Sequence, residues 1–144
     1  MGRLEGIWGR KAWGLEARPL DSATLETNKG MVEDVSHGSP RQITIIEKEV
    51  WALVMKQLGA DAPPETRRAN LMITGVPLKE TRGRILRIGD ARIEIRGETK
   101  PCRSMDEKLP GLKDALFPNW NGGAFGSVVE GSEIAIGDPV QWIN

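Results

Sequence analysis

One sulfur atom in this chain is placed for chemistry. Cys102 is the only cysteine among 144 residues, and it lies in Thr99-Lys100-Pro101-Cys102-Arg103-Ser104, between two cations. Ser104-Met105-Asp106-Glu107 is a Ser-x-x-Glu pattern, which predicts a capping box and a helix beginning at Ser104. The partly positive start of that helix and the flanking Lys100 and Arg103 both favour a thiolate. A thiolate is the nucleophilic form of cysteine and a soft metal ligand. The competing reading is an inert buried thiol, because free cysteine packs as a small hydrophobe.

Other chemistry is scarce. His37 is the only histidine, and its setting, Ser36-His37-Gly38-Ser39-Pro40, reads as a surface loop. One cysteine and one histidine exclude an internal disulfide, a multi-cysteine zinc site and a histidine-pair metal motif. Gly122-Gly123-Ala124-Phe125-Gly126 lacks the Gly-Lys-Ser/Thr of a phosphate loop and should lead into a strand. The tryptophans Trp8, Trp13, Trp51, Trp120 and Trp142 are scattered and read as core or rim.

Strands must do most of the positioning. Arg41–Ile46, Leu71–Thr74, Ala91–Arg96 and Ser127–Glu130 are alternating or β-branched. The first ten residues predict another strand, with Leu4 and Trp8 on one face. Gly89-Asp90 and Gly137-Asp138 each separate two strand-like runs, which predicts hairpins over 84–96 and 132–143. Helical spacing is confined to Glu47–Leu58, with Val50, Leu53, Val54 and Leu58 on one face, and to the region after Ser104, with a break at Pro110-Gly111. Many short strands, glycine-rich turns and few helices favour a closed β structure. The length fits a single domain over 1–144.

Twenty basic and twenty acidic residues give a formal charge of zero, which argues against a general nucleic-acid binder. The sum hides a gradient. Residues 79–103 hold eight bases and four acids, and residues 104–144 hold two bases and six acids. The basic stretch is either a set of solvated strand faces or a local anion-binding surface near Cys102. No apolar run approaches the ~20 residues of a membrane span, and no signal peptide is visible. A soluble cytoplasmic protein without a membrane partner is the expectation.

Taken in order, these pieces resemble a MOSC domain, the family named for the C-terminal part of molybdenum cofactor sulfurases. The resemblance runs over nearly the whole chain. It is carried by Gly6-Ile7-Trp8, Lys29-Gly30-Met31-Val32-Glu33-Asp34, Arg41-Gln42-Ile43-Thr44-Ile45, Arg67-Arg68-Ala69-Asn70-Leu71, Gly75-Val76-Pro77-Leu78, Pro101-Cys102 and Gly131–Val140. Three positions depart from the family pattern: Glu33 replaces a glycine, Val35-Ser36-His37 replaces a basic residue and histidine, and Ala69 is inserted before Asn70.

The resemblance implies a mainly β fold, a barrel of about seven strands with two or three short helices. It also implies binding of molybdenum cofactor, with Cys102 as molybdenum ligand or sulfur carrier. The cofactor's phosphate calls for Arg41, Arg67, Arg68 or Arg103, because a planar guanidinium pairs bidentately with an oxyanion. Asn70 suits the polar edge of the pterin, and Asp34 suits the orientation of an arginine or loop. Three functions follow as expectations. One is reduction of N-hydroxylated compounds, with electrons from a separate reductase. Another is sulfur transfer through a Cys102 persulfide received from a cysteine desulfurase. The last is a non-catalytic binding barrel, which the three departures motivate.

Overall fold

The computed structural model describes residues 2–143. Among them the chain order is β1 (Gly2–Gly9), β2 (Arg18–Pro19), β3 (Ser22–Glu26), β4 (Gly30–Met31), β5 (Ile43–Glu47), α1 (Lys48–Leu58), a 3₁₀ turn (Pro64–Arg67), β6 (Leu71–Thr74), β7 (Ile85–Ile88), β8 (Ala91–Glu98), α2 (Ser104–Lys108), α3 (Leu112–Leu116), β9 (Ala124–Glu130), β10 (Ser132–Ala135) and β11 (Pro139–Ile143). Seven strands close a barrel in the order β11-β7-β8-β9-β5-β6-β1, with β1 returning to β11. β2 pairs with the far end of β1, and β10, β3 and β4 form a second small sheet. The expected barrel with short helices is therefore the fold.

Alternation builds the barrel wall. Along β8 the residues Ala91, Ile93 and Ile95 are buried, while Arg92 and Arg96 face out. With Leu4, Ile7, Ile43, Ile45, Leu71, Ile73, Leu86, Ile88, Val128 and Val140 they fill the interior. The pair β5–β6 is parallel. A parallel pair needs a crossover connection, and α1 supplies it. α1 ends at Gly59, which adopts the left-handed conformation at φ 61°. Its buried face carries Trp51, Val54 and Met55, whereas Leu53 is exposed. The face is thus rotated from the expected one, because Trp51 turns inward and its indole nitrogen donates to the Ala62 carbonyl at 3.1 Å.

Two further expectations are corrected. In β1 the register shifts between Leu4 and Gly6. The irregularity puts Leu4 and Ile7 in the barrel, while Trp8 packs with Ile46, Ala69 and Met72 in a separate cluster. Leu4 and Trp8 therefore do not share a face. The hairpin over 84–96 forms, with Ile88 opposite Ala91 across Gly89-Asp90. The segment 132–143 is not a hairpin: β10 pairs with β3, and β11 with β7 and β1. Gly137-Asp138 is a corner between the two sheets, held by Gly137 N–H to Leu4 O and Leu4 N–H to Asp138 O. No helix among the described residues is long and apolar enough to cross a membrane.

Candidate functional site

Cys102 stands just past the end of β8. Thr99 N–H donates to Gly123 O at 2.9 Å, which ties the strand's exit to the start of β9. Pro101 follows buried, and Cys102 emerges exposed. α2 starts at Ser104 as expected, yet no capping box forms, and Arg103 takes the capping position without a side-chain bond. The Ser104 hydroxyl is turned to the sulfur instead, with Sγ and Oγ 2.7 Å apart.

That contact is the first cause of a thiol pKa below the ordinary value. Slight burial opposes it. The backbone N–H of Ser104, the charge of Arg67 and the backbone N–H of Met105 lower it further. The sequence neighbours contribute differently than expected. Lys100 binds Glu98 at 3.1 Å and its ammonium lies 4.4 Å from the Phe117 ring centre. The cation that the thiol meets is Arg67, from the 3₁₀ turn.

Arg67 is buried and works as a clamp. Its Nε and Nη2 donate to Gly122 O at 3.1 and 2.9 Å, and Nη2 also reaches Thr99 O at 3.3 Å. Burial lowers its pKa to about 10, with the Cys102 thiolate raising it and Arg41 lowering it. At neutral pH it stays a cation. Gly122 must be glycine here, because a Cβ would lie 2.2 Å from Thr99 O.

These groups open onto a cleft of about 370 Å³. Asp34, Arg41, Arg67, Arg68, Asn70 and Cys102 all line it, and Arg103 does not. Asp34 is spent on the backbone. It accepts from Arg10 N–H at 2.9 Å and from Ser36 N–H at 3.1 Å, and the Ser36 hydroxyl bonds it as well. Asp34 thus fixes two loops at the cleft's edge. Asn70 is spent similarly: its Oδ1 accepts from Thr44 N–H at 3.0 Å, and its Nδ2 donates to Trp8 O at 3.4 Å. It staples β5 to β1. Arg41 lies 4.8 Å from the Phe125 ring centre, and Arg68 takes a left-handed φ of 65° after the 3₁₀ turn. Neither has a carboxylate within salt-bridge distance among the described residues.

Several lining residues were not among those expected from sequence, Arg10, Trp13, Thr44 and Thr99 among them. Trp13 is 64% exposed, with the Arg10 guanidinium 5.2 Å from its ring centre. Thr99 Oγ1 is buried without a hydrogen-bond partner among the described residues. Such a hydroxyl typically costs about 1–3 kcal/mol. Its nearness to Pro101-Cys102 was the only available signal. Among the described residues, no three His, Cys, Asp or Glu side chains converge as a metal site.

Several solved structures share the fold. The YUAD protein from Bacillus subtilis superimposes with a TM-score of 0.84 at 20% identity, over 97% of this chain and 94% of that one. YiiM from Geobacillus stearothermophilus gives 0.79 at 16% identity, over 100% of this chain and 76% of the other. YiiM from Escherichia coli gives 0.74 at 17%, over 99% and 70%. At these identities the likeness is one of fold. No curated protein matches the chain. The MOSC domain profile matches residues 32–141, a stretch that holds the thiol, its clamp and every arginine lining the cleft except Arg10. On that match over most of its length, the chain belongs to the MOSC domain family.

Proposed function

We propose that the cleft binds molybdenum cofactor, with Cys102 as the sulfur ligand to molybdenum, and that the protein reduces N-hydroxylated compounds as one barrel domain. The observation that carries this is an exposed thiol of lowered pKa in a cleft whose arginines lack carboxylate partners among the described residues. The donor set fits the group. A soft thiolate suits molybdenum, and Arg41 and Arg68 offer planar forks for a phosphate. Arg67 holds the cleft wall and supplies charge, while Asp34 and Asn70 position loops and strands. Arg103, outside the cleft wall, takes no part in this reading. When bound, the cofactor supplies two-electron chemistry at molybdenum. The overall reaction consumes two electrons and two protons and yields an amine and water. The electrons come from a separate reductase, since the chain carries no flavin or iron–sulfur motif.

The test is metal and pterin analysis of the full chain made in a cofactor-competent host. The wild type should carry molybdenum, and Cys102→Ala should lose it. A wild type without molybdenum overturns the reading.

The exposure of Cys102 favours one alternative, a sulfur carrier. Its thiolate would attack the outer sulfur of a desulfurase persulfide, with the desulfurase thiolate leaving. Mass spectrometry after incubation with a desulfurase and cysteine should then find one added sulfur on Cys102. Its absence with several desulfurases removes this reading.

A further inference from the structure

A second cavity adjoins the cleft, sharing Arg10 and Asp34 with it. Its volume is about 410 Å³, within the roughly 300–1,000 Å³ usual for small-molecule sites. Three segments meet there: the exit of β1, the stretch through β2, and the loop after β4. Gly9 lets them pack closely, since a Cβ there would lie 2.6 Å from Glu33 O and 3.4 Å from Leu20 Cδ1. Leu20, Val32 and Val35 contribute apolar lining, and Val32 is 51% exposed. Arg10, Lys11 and Arg18 contribute three cations.

Two acids line the same cavity, and neither neutralises those cations. Glu33 accepts from Thr24 N–H at 3.0 and 3.2 Å. Asp34 accepts from the main-chain N–H groups of Arg10 and Ser36. Among the described residues, no carboxylate lies within salt-bridge distance of Arg10, Lys11 or Arg18. The Arg10 guanidinium is taken up near the Trp13 ring, which leaves Lys11 and Arg18 to this cavity. Both residues are exposed, so a ligand can reach their charged ends. Like charges sharing one cavity repel, and an anion bound by both relieves the repulsion. An inorganic anion would leave the apolar lining uncovered, and a neutral molecule would leave the cations unanswered.

We propose that this cavity binds a small organic anion, its carboxylate or phosphate paired with Lys11 and Arg18 and its apolar body against Leu20, Val32 and Val35. Cys102 does not line the cavity, so the inference rests neither on molybdenum nor on any reaction at the thiol.

The test follows backbone amide shifts of the ¹⁵N-labelled full chain at constant ionic strength. The probes 4-phenylbutyrate and phenyl phosphate carry both features and distinguish the head group. The alcohol 4-phenyl-1-butanol carries only the apolar body, and acetate only the charge. At least one of the first two should give saturable shifts centred on Gly9, Lys11, Arg18, Val32 and Val35. The alcohol and acetate should bind at least tenfold more weakly. Arg18→Ala or Lys11→Ala should weaken binding about tenfold, the loss expected for one hydrogen bond between charged groups. Val32→Glu, which adds a competing carboxylate at an exposed position, should abolish it. Arg92→Ala, on the paired strand face, and Cys102→Ala should bind as wild type does. No saturable shifts at these amides, an alcohol that binds as well as the anions, or unchanged affinity in both Arg18→Ala and Lys11→Ala would overturn the inference. Binding that survives in a protein free of molybdenum would uphold this site while removing the cofactor reading of the cleft.

Discussion

Basic residues on two faces of this barrel keep different company. Along β7 and β8, Arg87 meets Asp90 at 3.3 Å, Arg92 meets Glu130 at 3.3 Å and Arg96 meets Glu94 at 3.5 Å. Arg84 lies 4.3 Å from the Trp142 ring centre. In the cleft, Arg41, Arg67 and Arg68 have no such carboxylates among the described residues. Asp34, the one acid among the cleft's lining residues, is held by backbone N–H groups and a serine. Four of the eight bases in 79–103, Arg87, Arg92, Arg96 and Lys100, are thus paired to carboxylates. The cations with charge to spare come from segments whose local composition is neutral. A count of bases along the sequence does not show which of them are paired in the fold.

Breaking the clamp gives the largest expected effect. Arg67→Met leaves two buried carbonyl groups without donors, at about 1–3 kcal/mol each, so stability falls by roughly 3 kcal/mol. Arg67→Lys should rescue little, because an ammonium lacks the fork that spans Gly122 and Thr99. Arg92→Met, on the paired face, should stay within about 0.5 kcal/mol of wild type. Urea denaturation of the three variants measures this, and an Arg92→Met as damaging as Arg67→Met would erase the distinction between the faces.

The next effect falls on ligand occupancy. Under the proposed reading, Arg41→Ala or Arg68→Ala should lower molybdenum content about tenfold each, as expected for loss of a charged hydrogen bond. Arg96→Ala should leave it unchanged. Metal analysis of the three proteins decides, and equal losses in all would mean that only overall positive charge matters.

Smaller still is the effect on the thiol. Ser104→Ala removes the leading cause of the lowered Cys102 pKa, so the pH midpoint of alkylation should move up toward the ordinary value of 9.0. Arg67→Met should move it less, in the same direction. The linked stability has a definite sign. A thiol whose folded pKa lies below its unfolded one adds stability fully above the unfolded value, and loses it as pH falls through the folded value. An unmoved midpoint in Ser104→Ala would remove the hydroxyl from the account.

Local pattern carried the strands, and failed where partners lie far along the chain. β8 and its hairpin with β7 were legible because alternation and Gly89-Asp90 are contiguous signals. The segment 132–143 carries a similar signal, yet β10 pairs with β3, more than a hundred residues earlier. One irregularity near Glu5 turned Trp8 to a different cluster, since a one-residue shift reverses a strand's faces. At the site, six of the seven expected residues, the cysteine among them, do line one cleft. Their division of labour was hidden. The clamp joins Arg67 to Gly122 and Thr99 across 55 and 32 residues, and no spacing encodes that.

The finest test concerns Lys100. In sequence it stands two residues from Cys102 and invites the role of activating cation. In the fold its ammonium is bound to Glu98 and lies over the Phe117 ring, and its side chain is about half exposed. A charge already paired and open to solvent is screened from a third group. Lys100→Met should therefore leave the alkylation midpoint of Cys102 where it is, while Ser104→Ala moves it. A shift in Lys100→Met as large as that in Ser104→Ala would mean that sequence neighbours, rather than the folded contacts of Ser104 and Arg67, set the reactivity of this sulfur.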